Sequence, residues 1–279
     1  MIDGHTKIFG VIGYPVGHSL SPAMHNAAFK KLGINAAYLP FEVEPKYLGK
    51  AIEGLKALGI GGVNVTIPHK ETVIKYIDNL SHEARLMGAV NAIVNKKGRL
   101  SGYNTDVFGF LKSLREDLRF QAKGRTIFVI GAGGASKAVC FGLAIEGAKR
   151  IILTDAADEK ALALACEVEL KTGCECIALR INSRGIPDMI LNSQLLVNAT
   201  PCGMKENDAS PVNTAYLHEH LSVFDLVYNR KTKLIKIAGQ KGLKASSGLN
   251  MLLFQGAKAF ELWTGRRAPV EVMRKTLGK

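Results

Sequence analysis

The sequence predicts an α/β fold in two domains, on three observations. Short apolar runs alternate with helical patterns along nearly the whole chain, which is the pattern of parallel strands joined by crossover helices. The length of 279 residues corresponds to about two domains at roughly 150 residues each. A strand, a glycine-rich turn, a helix and a second strand follow one another over 126–154, a unit of the size of βαβ.

In the first hundred residues the pattern predicts a strand over 8–12, a helix over 21–31, a strand over 38–43 and a helix over 45–58. Ser21 before Pro22 reads as an N-cap, with proline early in the helix where its missing N–H costs nothing. A strand over 62–67 stops at Pro68, because proline cannot donate to a ladder. Helical stretches are expected near 70–76 and 81–87, and the runs 89–95 and 99–103 form a hairpin through Lys97 and Gly98. The domain junction falls at a helix beginning near Asp106. Beyond it, strands are predicted over 126–130, 150–154, 176–179, 195–198 and 223–227, with helices over 134–146 and 158–170. A helical pattern over 250–260 and a last helix over 270–277 end the chain. The expected division is 1–106, 107–240 and 241–279, the last segment packing back on the first domain.

Composition narrows the function classes. Hydrophobic residues at 47% and charged residues at 22% match soluble globular chains and exclude a disordered one. Apolar runs fall short of the roughly 20 residues that cross a bilayer, and no secretory signal is visible. A cytoplasmic protein is therefore expected. Five cysteines form no paired framework, and no metal site is expected, since Cys174 and Cys176 lack partners at ligand spacing. The net charge of +13 comes from scattered basic residues with no nucleic-acid motif, so neither nucleic acid nor a membrane is expected as a partner.

Several segments carry chemistry. Gly131-Ala132-Gly133-Gly134-Ala135-Ser136 lies between a strand and a helix, where glycines let a pyrophosphate approach backbone N–H groups at a helix N-terminus. Asp155 ends the next strand, at the position where a carboxylate accepts bonds from an adenosine ribose; it also suits a helix cap. Asn198, Ala199, Thr200 and Pro201 follow another strand and would lie at the carboxyl edge of the sheet, where ligands bind. In the first half, Ser19 and Ser21 can both face a bound polyol, and Asn64 and Thr66 share one strand face. Lys70 opens a helical stretch where a cation opposes the macrodipole, so local stability does not explain it. Asn91, Asn104, Thr105 and Asp106 complete the polar set.

Taken in order, HSLSP at 18–22, NVTIPHK at 64–70, GAVNA at 88–92, NTD at 104–106, GAGGAS at 131–136, NATPCGM at 198–204, DLVYN at 225–229 and GLNMLLFQGA at 248–257 resemble the shikimate dehydrogenase family. The resemblance covers essentially the whole chain. It implies a Rossmann-like dinucleotide-binding domain beside an N-terminal α/β substrate domain, and reduction of 3-dehydroshikimate to shikimate with a nicotinamide cofactor. It implies that Ser19, Ser21, Thr66, Asn91 and Gln255 bind substrate, with Tyr228 nearby, and that Lys70 and Asp106 form the catalytic pair. It places Gly131, Ala132, Gly133, Gly134, Ala135, Asp155, Asn198, Thr200 and Met204 at the cofactor. The assignment is chemically sound: a ketone receiving hydride develops charge on oxygen, and an ammonium can protonate and stabilise it.

One departure bears on the cofactor. Family members that prefer NADP carry an Asn-Arg-Thr segment after the second strand of the dinucleotide domain, and the matching positions here are Asp155, Ala156 and Ala157. NAD is accordingly the expected cofactor, with Lys160 as a cation that still admits NADP. Shikimate is expected over quinate, in a monomer or homodimer. The competing readings are a quinate/shikimate dehydrogenase of quinate catabolism and a non-catalytic nucleotide-binding redox sensor; Lys70 and Asp106 argue against the sensor.

Overall fold

The computed structural model describes residues 2–278. Residues up to 108 together with those from 253 onward form one compact unit, and 109–252 form a second. The chain passes from one to the other within the helix that begins at Asp106, and the second unit extends past 240 to Leu252.

The first unit contains β1 (Lys7–Gly13), α1 (Ser21–Lys31), β2 (Ala36–Glu42), α2 (Leu48–Ala57), β3 (Gly62–Val65), β4 (Asn79–Leu80), α3 (His82–Met87), β5 (Ala92–Lys96), β6 (Arg99–Tyr103) and the start of α4 (Asp106–Ser113). Its sheet has the order β2-β1-β3-β5-β6-β4. β1 pairs parallel with β2 and β3, while the hairpin of β5 and β6 adds antiparallel to β3. Helix α2 buries Leu48, Ile52 and Leu55, the i, i+4, i+7 face of an amphipathic helix, against Val63, Val65 and Ile93 of the sheet.

Three local expectations are corrected. Ser21 is the first residue of α1 rather than its cap, and Leu20 holds the cap position with no side-chain bond. The stretch 45–58 divides into a 3₁₀ turn, Pro45–Tyr47, and α2. The helix expected from Lys70 shrinks to a 3₁₀ turn over Thr72–Tyr76, so Lys70 stands before it and the macrodipole argument loses its force.

The second unit continues with β7 (Thr126–Ile130), α5 (Gly134–Ile145), β8 (Arg150–Asp155), α6 (Asp158–Thr172), β9 (Glu175–Arg180), α7 (Ile186–Leu191), β10 (Leu195–Asn198), β11 (Ser222–Asp225), α8 (Lys233–Gln240) and β12 (Ala245–Ser247). All neighbours pair parallel in the order β12-β11-β10-β7-β8-β9. This is the doubly wound arrangement, and strand order reverses between β7 and β10, where such sheets bind ligands outside their carboxyl ends. The core gathers Phe128, Ile152, Leu196 and Val223 with Ile190 of α7 and Leu234 of α8.

Helices α9 (Leu249–Thr264) and α10 (Val270–Leu277) end the described chain. The part of α9 in the first unit sends Trp263 onto the sheet, where its indole N–H donates to the Ile93 carbonyl at 2.9 Å. A methyl group on Gly62 would overlap that indole, so the close approach requires glycine. No helix among the described residues is long and apolar enough to cross a membrane.

Candidate active site

In the first unit, the loop from β6 into α4 and the loop after β3 bring Asp106 and Lys70 together. Lys70 Nζ donates to Asp106 Oδ2 at 2.8 Å, and the two side chains are 21% and 11% exposed, so the pair is shielded yet reachable. The main chain on both sides is tied down. The Lys70 carbonyl accepts from the Val90 N–H at 2.8 Å, and the Asp106 N–H donates to Asn104 Oδ1 at 3.1 Å. Asp106 begins α4, where a carboxylate suits the positive end of the helix.

Asn91 is the hub of this cluster. Its amide nitrogen donates to Asp106 Oδ1 at 2.8 Å and to Thr105 Oγ1 at 3.0 Å, with Gln255 Oε1 at 3.5 Å. Its carbonyl oxygen accepts the Thr105 N–H at 2.7 Å. A second chain of bonds reaches the serines. Asn64 donates to the Asn91 backbone carbonyl at 3.1 Å and accepts from the Tyr38 hydroxyl at 2.7 Å. That hydroxyl also bonds the Ser21 side chain. The Ser21 N–H in turn donates to Ser19 Oγ at 3.3 Å. Beginning α1 one residue early thus turns the Ser21 hydroxyl inward instead of using it as a cap. Thr66 follows β3 and is half-buried.

Sequence reasoning missed Tyr38 and the residue it stacks on, His25. The His25 imidazole lies 4.4 Å from the Tyr38 ring and against Phe260 and Trp263. It is fully buried, neither ring nitrogen has a hydrogen-bond partner, and loss of hydration pushes its pKa down to about 3. Burial also holds the Tyr38 phenol well above its usual value. A lone tyrosine in a strand carries no motif that could have signalled this.

In the second unit, the turn after β7 is open backbone. Gly131 has φ +104°, and a Cβ there would come within 2.9 Å of Thr200 Cγ2 and 3.0 Å of the Ala199 carbonyl, so only glycine lets the two loops meet. Gly133 and Gly134 border free space. Helix α5 starts at Gly134 with no side-chain cap, which leaves its first N–H groups for an anion. Ser136 Oγ donates back to the Gly131 carbonyl. This uncapped helix start and uncrowded turn fit a dinucleotide pyrophosphate.

Asp155 supports the turn. Its Oδ2 accepts the Ala132 N–H at 2.7 Å and its Oδ1 the Ala157 N–H at 2.9 Å. Asn198 is completely buried and similarly engaged: it donates to the Cys202 carbonyl and to Asp225 Oδ1 at 2.8 Å, and accepts from the Thr200 N–H and hydroxyl. Its side chain shapes the loop rather than facing a ligand. Asp225 also accepts the Thr232 hydroxyl at 2.7 Å and the Val227 N–H at 3.1 Å; burial raises its carboxyl pKa against the opposing effect of those bonds. Met204 is exposed on the same loop. Tyr228 lies just past β11, its phenol pKa raised by burial. A cavity of about 310 Å³ beyond β7 and β8 is lined by Thr154, Arg184, Ile186 and Tyr216 among others. The Thr154 hydroxyl is buried there with no hydrogen-bond partner. No group of three or more His, Cys, Asp or Glu side chains among the described residues could hold a metal ion.

Residues 11–93 match the shikimate dehydrogenase substrate binding domain and 248–277 the shikimate 5'-dehydrogenase C-terminal domain. The chain is 47% identical to a shikimate dehydrogenase (NADP(+)) of Methanopyrus kandleri, over 99% of this chain and 96% of that one. The structure superposes on the shikimate 5-dehydrogenase of Listeria monocytogenes, solved with shikimate and NAD, at a TM-score of 0.92, with 39% identity over 98% and 97% of the two chains. A shikimate dehydrogenase solved with NADP+ gives a TM-score of 0.91 and 41% identity over 99% and 96%.

These findings correct the expectation that NAD is the preferred cofactor. Curated relatives of 44–47% identity over nearly the full length bear NADP(+) in their names. The physical reason lies at Asp155. The expectation treated its carboxylate as free to bond a ribose and repel a phosphate, but each of its oxygens already accepts a backbone N–H.

Proposed function

The chain belongs to the shikimate dehydrogenase family, and from that premise we propose that it interconverts 3-dehydroshikimate and shikimate with NADP, in the biosynthesis of aromatic compounds. The residues up to 108 and from 253 onward serve as the substrate-binding and catalytic domain, and 109–252 as the dinucleotide-binding domain. The observation that carries the reading is the shielded Lys70–Asp106 bond of 2.8 Å, with Asn91 on the other carboxylate oxygen. NADP supplies the hydride chemistry when bound.

This chain's residues do the rest. In the reducing direction the ammonium of Lys70 donates a proton to the carbonyl oxygen of the substrate as charge builds there, and in the oxidising direction the same nitrogen receives it. Asp106 fixes Lys70 and accepts a hydroxyl of the substrate, while Asn91 fixes Asp106. Ser19, Ser21, Thr66 and Gln255 orient the other polar groups of the ring, which lowers the entropic part of the barrier. In the second unit, the turn Gly131 to Ala135 holds the pyrophosphate, with Asp155 and Asn198 keeping the two loops in shape and Thr200 and Met204 on the loop after β10.

The experiment follows reduced-nicotinamide absorbance with purified protein and shikimate, crossed against NADP and NAD. A higher kcat/KM with NADP is the expected result. Absence of turnover with either cofactor would remove the activity, and a higher value with NAD would remove the cofactor assignment while leaving the reaction.

A further inference from the structure

Resting on that reading, the inference concerns how this chain holds the 2′-phosphate that distinguishes NADP from NAD. The residues directly after β8 offer no cationic side chain: Asp155 is acidic, and Ala156 and Ala157 have only backbone donors. A guanidinium does reach the same place from the neighbouring strand. Arg180 ends β9 and is the register partner of Asp155, so the two backbones run about 4.8 Å apart.

The direction of the Arg180 side chain follows from strand alternation. Successive residues face opposite sides of a sheet, and Thr154 faces the cavity beside Ile186 and Tyr216. Asp155 and Arg180 therefore share the other face, the one where α6 begins. The ion pairs agree: Arg180 Nε lies 3.7 Å from Asp158 Oδ2, in the first turn of α6. Both side chains are mainly exposed, at 86% and 49%, and an exposed pair of that length contributes little. An incoming dianion can displace Asp158 from the guanidinium.

We propose that Arg180 is the specificity-determining residue for NADP: its guanidinium forks the 2′-phosphate at the start of α6, with Lys160 as a second cation. The helix start adds to the site. Ala157 caps α6 with no side chain, and the N–H groups of its first turn favour an anion. A planar guanidinium suits a phosphate better than an ammonium does, which assigns the larger share to Arg180 and the smaller to Lys160. Asp155, Asp158 and Glu159 are the opposing charges at this edge, and the proposal needs Arg180 to outweigh them.

The test is calorimetric titration of the full chain with NADP and with NAD, for wild type, Arg180→Gln and Arg180→Lys. The expected result is a wild type that binds NADP more tightly, and an Arg180→Gln variant that loses about 10- to 100-fold in NADP affinity, the scale of charge-assisted hydrogen bonds, with NAD changed less than about threefold. Arg180→Lys should fall between. If wild type favours NADP and Arg180→Gln keeps that affinity, or loses NADP and NAD equally, the assignment to Arg180 is overturned while the dehydrogenase reading stands. If wild type itself binds NADP no better than NAD, both fall together.

Discussion

The two units handle polar groups in opposite ways. In the first, side chains carry the chemistry and lock one another: Lys70, Asp106, Asn91, Asn64 and Tyr38 bond in sequence across a mixed sheet. In the second, backbone carries the ligand-facing surface. The polar side chains of Asp155, Asn198 and Asp225 are turned inward to hold loops at the edge of a parallel sheet. Changes in the first cluster should therefore appear in kcat and KM. Changes in the second should appear in stability and cofactor affinity.

The sharpest break would come from Lys70→Ala. Losing the proton donor and the charge facing the developing alkoxide acts mainly in the transition state, so kcat for shikimate should fall by about 10² to 10⁴-fold, with a much smaller change in KM. Thermal stability should change little, since a partly exposed pair is lost. A variant with the kcat of wild type would take Lys70 out of the mechanism.

Asp225→Ala should do the reverse. It leaves the Asn198 amide and the Thr232 hydroxyl buried without their acceptor, a loss of roughly 2–4 kcal/mol. For a chain of this size that lowers Tm by several degrees, at about 2–4 °C per kcal/mol. Asp225→Asn keeps an acceptor for Asn198 and removes a buried ionisable group, so it should lose much less. Scanning calorimetry of the two variants checks the order; equal losses would show that the carboxylate does not hold the loop.

The aromatic wall behind the first cluster gives the comparison a pH dependence. His25 is buried without a polar partner and its pKa is depressed to about 3 from an ordinary 6.5. The unfolded chain gains a proton at this residue below about pH 6.5 while the folded chain does not. Stability from this group is thus complete above about 6.5 and is lost progressively as pH falls toward 3. Between pH 7 and 5 the loss is about 2 kcal/mol, at 1.36 kcal/mol per unit. Urea unfolding at the two pH values, in wild type and His25→Phe, should show a flatter dependence in the variant. Parallel slopes would place the pH sensitivity elsewhere.

The same contrast explains what the sequence makes legible. The strands of the second unit read clearly because parallel strands buried on both faces are continuous apolar runs: TIFVI, RIILTD and LLVN lie where β7, β8 and β10 do. The short helix α7, the polar edge strand β12 and the two-residue β4 were missed, since a short or edge element has too few residues to set a period. Helix α8 was missed although Thr232 caps it and Leu234 and Ala238 are buried one turn apart. In the site, the participants Lys70, Asp106, Asn91 and Gln255 were visible in motifs. The partnerships were not: Lys70 and Asp106 are 36 residues apart and Asn91 and Gln255 164 apart, so topology alone brings them together. At Asp155 the residue was found and its role misread, because sequence does not say which N–H groups a carboxylate already holds.

The smallest expected effect tests whether the first cluster works as a connected whole. Tyr38 touches neither Lys70 nor Asp106 in the network, and its ring is fixed by stacking on His25 whether or not it carries a hydroxyl. Tyr38→Phe removes only the group that joins Ser21 to Asn64. Asn64 Oδ1 loses a buried donor, which costs about 1 kcal/mol, and Ser21 loses the bond that sets its rotamer. If Ser21 orients substrate, KM for shikimate should rise about 3- to 10-fold, at 1.4 kcal/mol per tenfold, with kcat within about twofold because the bond from Lys70 to Asp106 is untouched. Steady-state kinetics with saturating NADP separates the two parameters. A fall in kcat with unchanged KM would mean that the strain travels through Asn64 and Asn91 to the carboxylate of Asp106, making the network one mechanical unit rather than a binding half joined to a catalytic half.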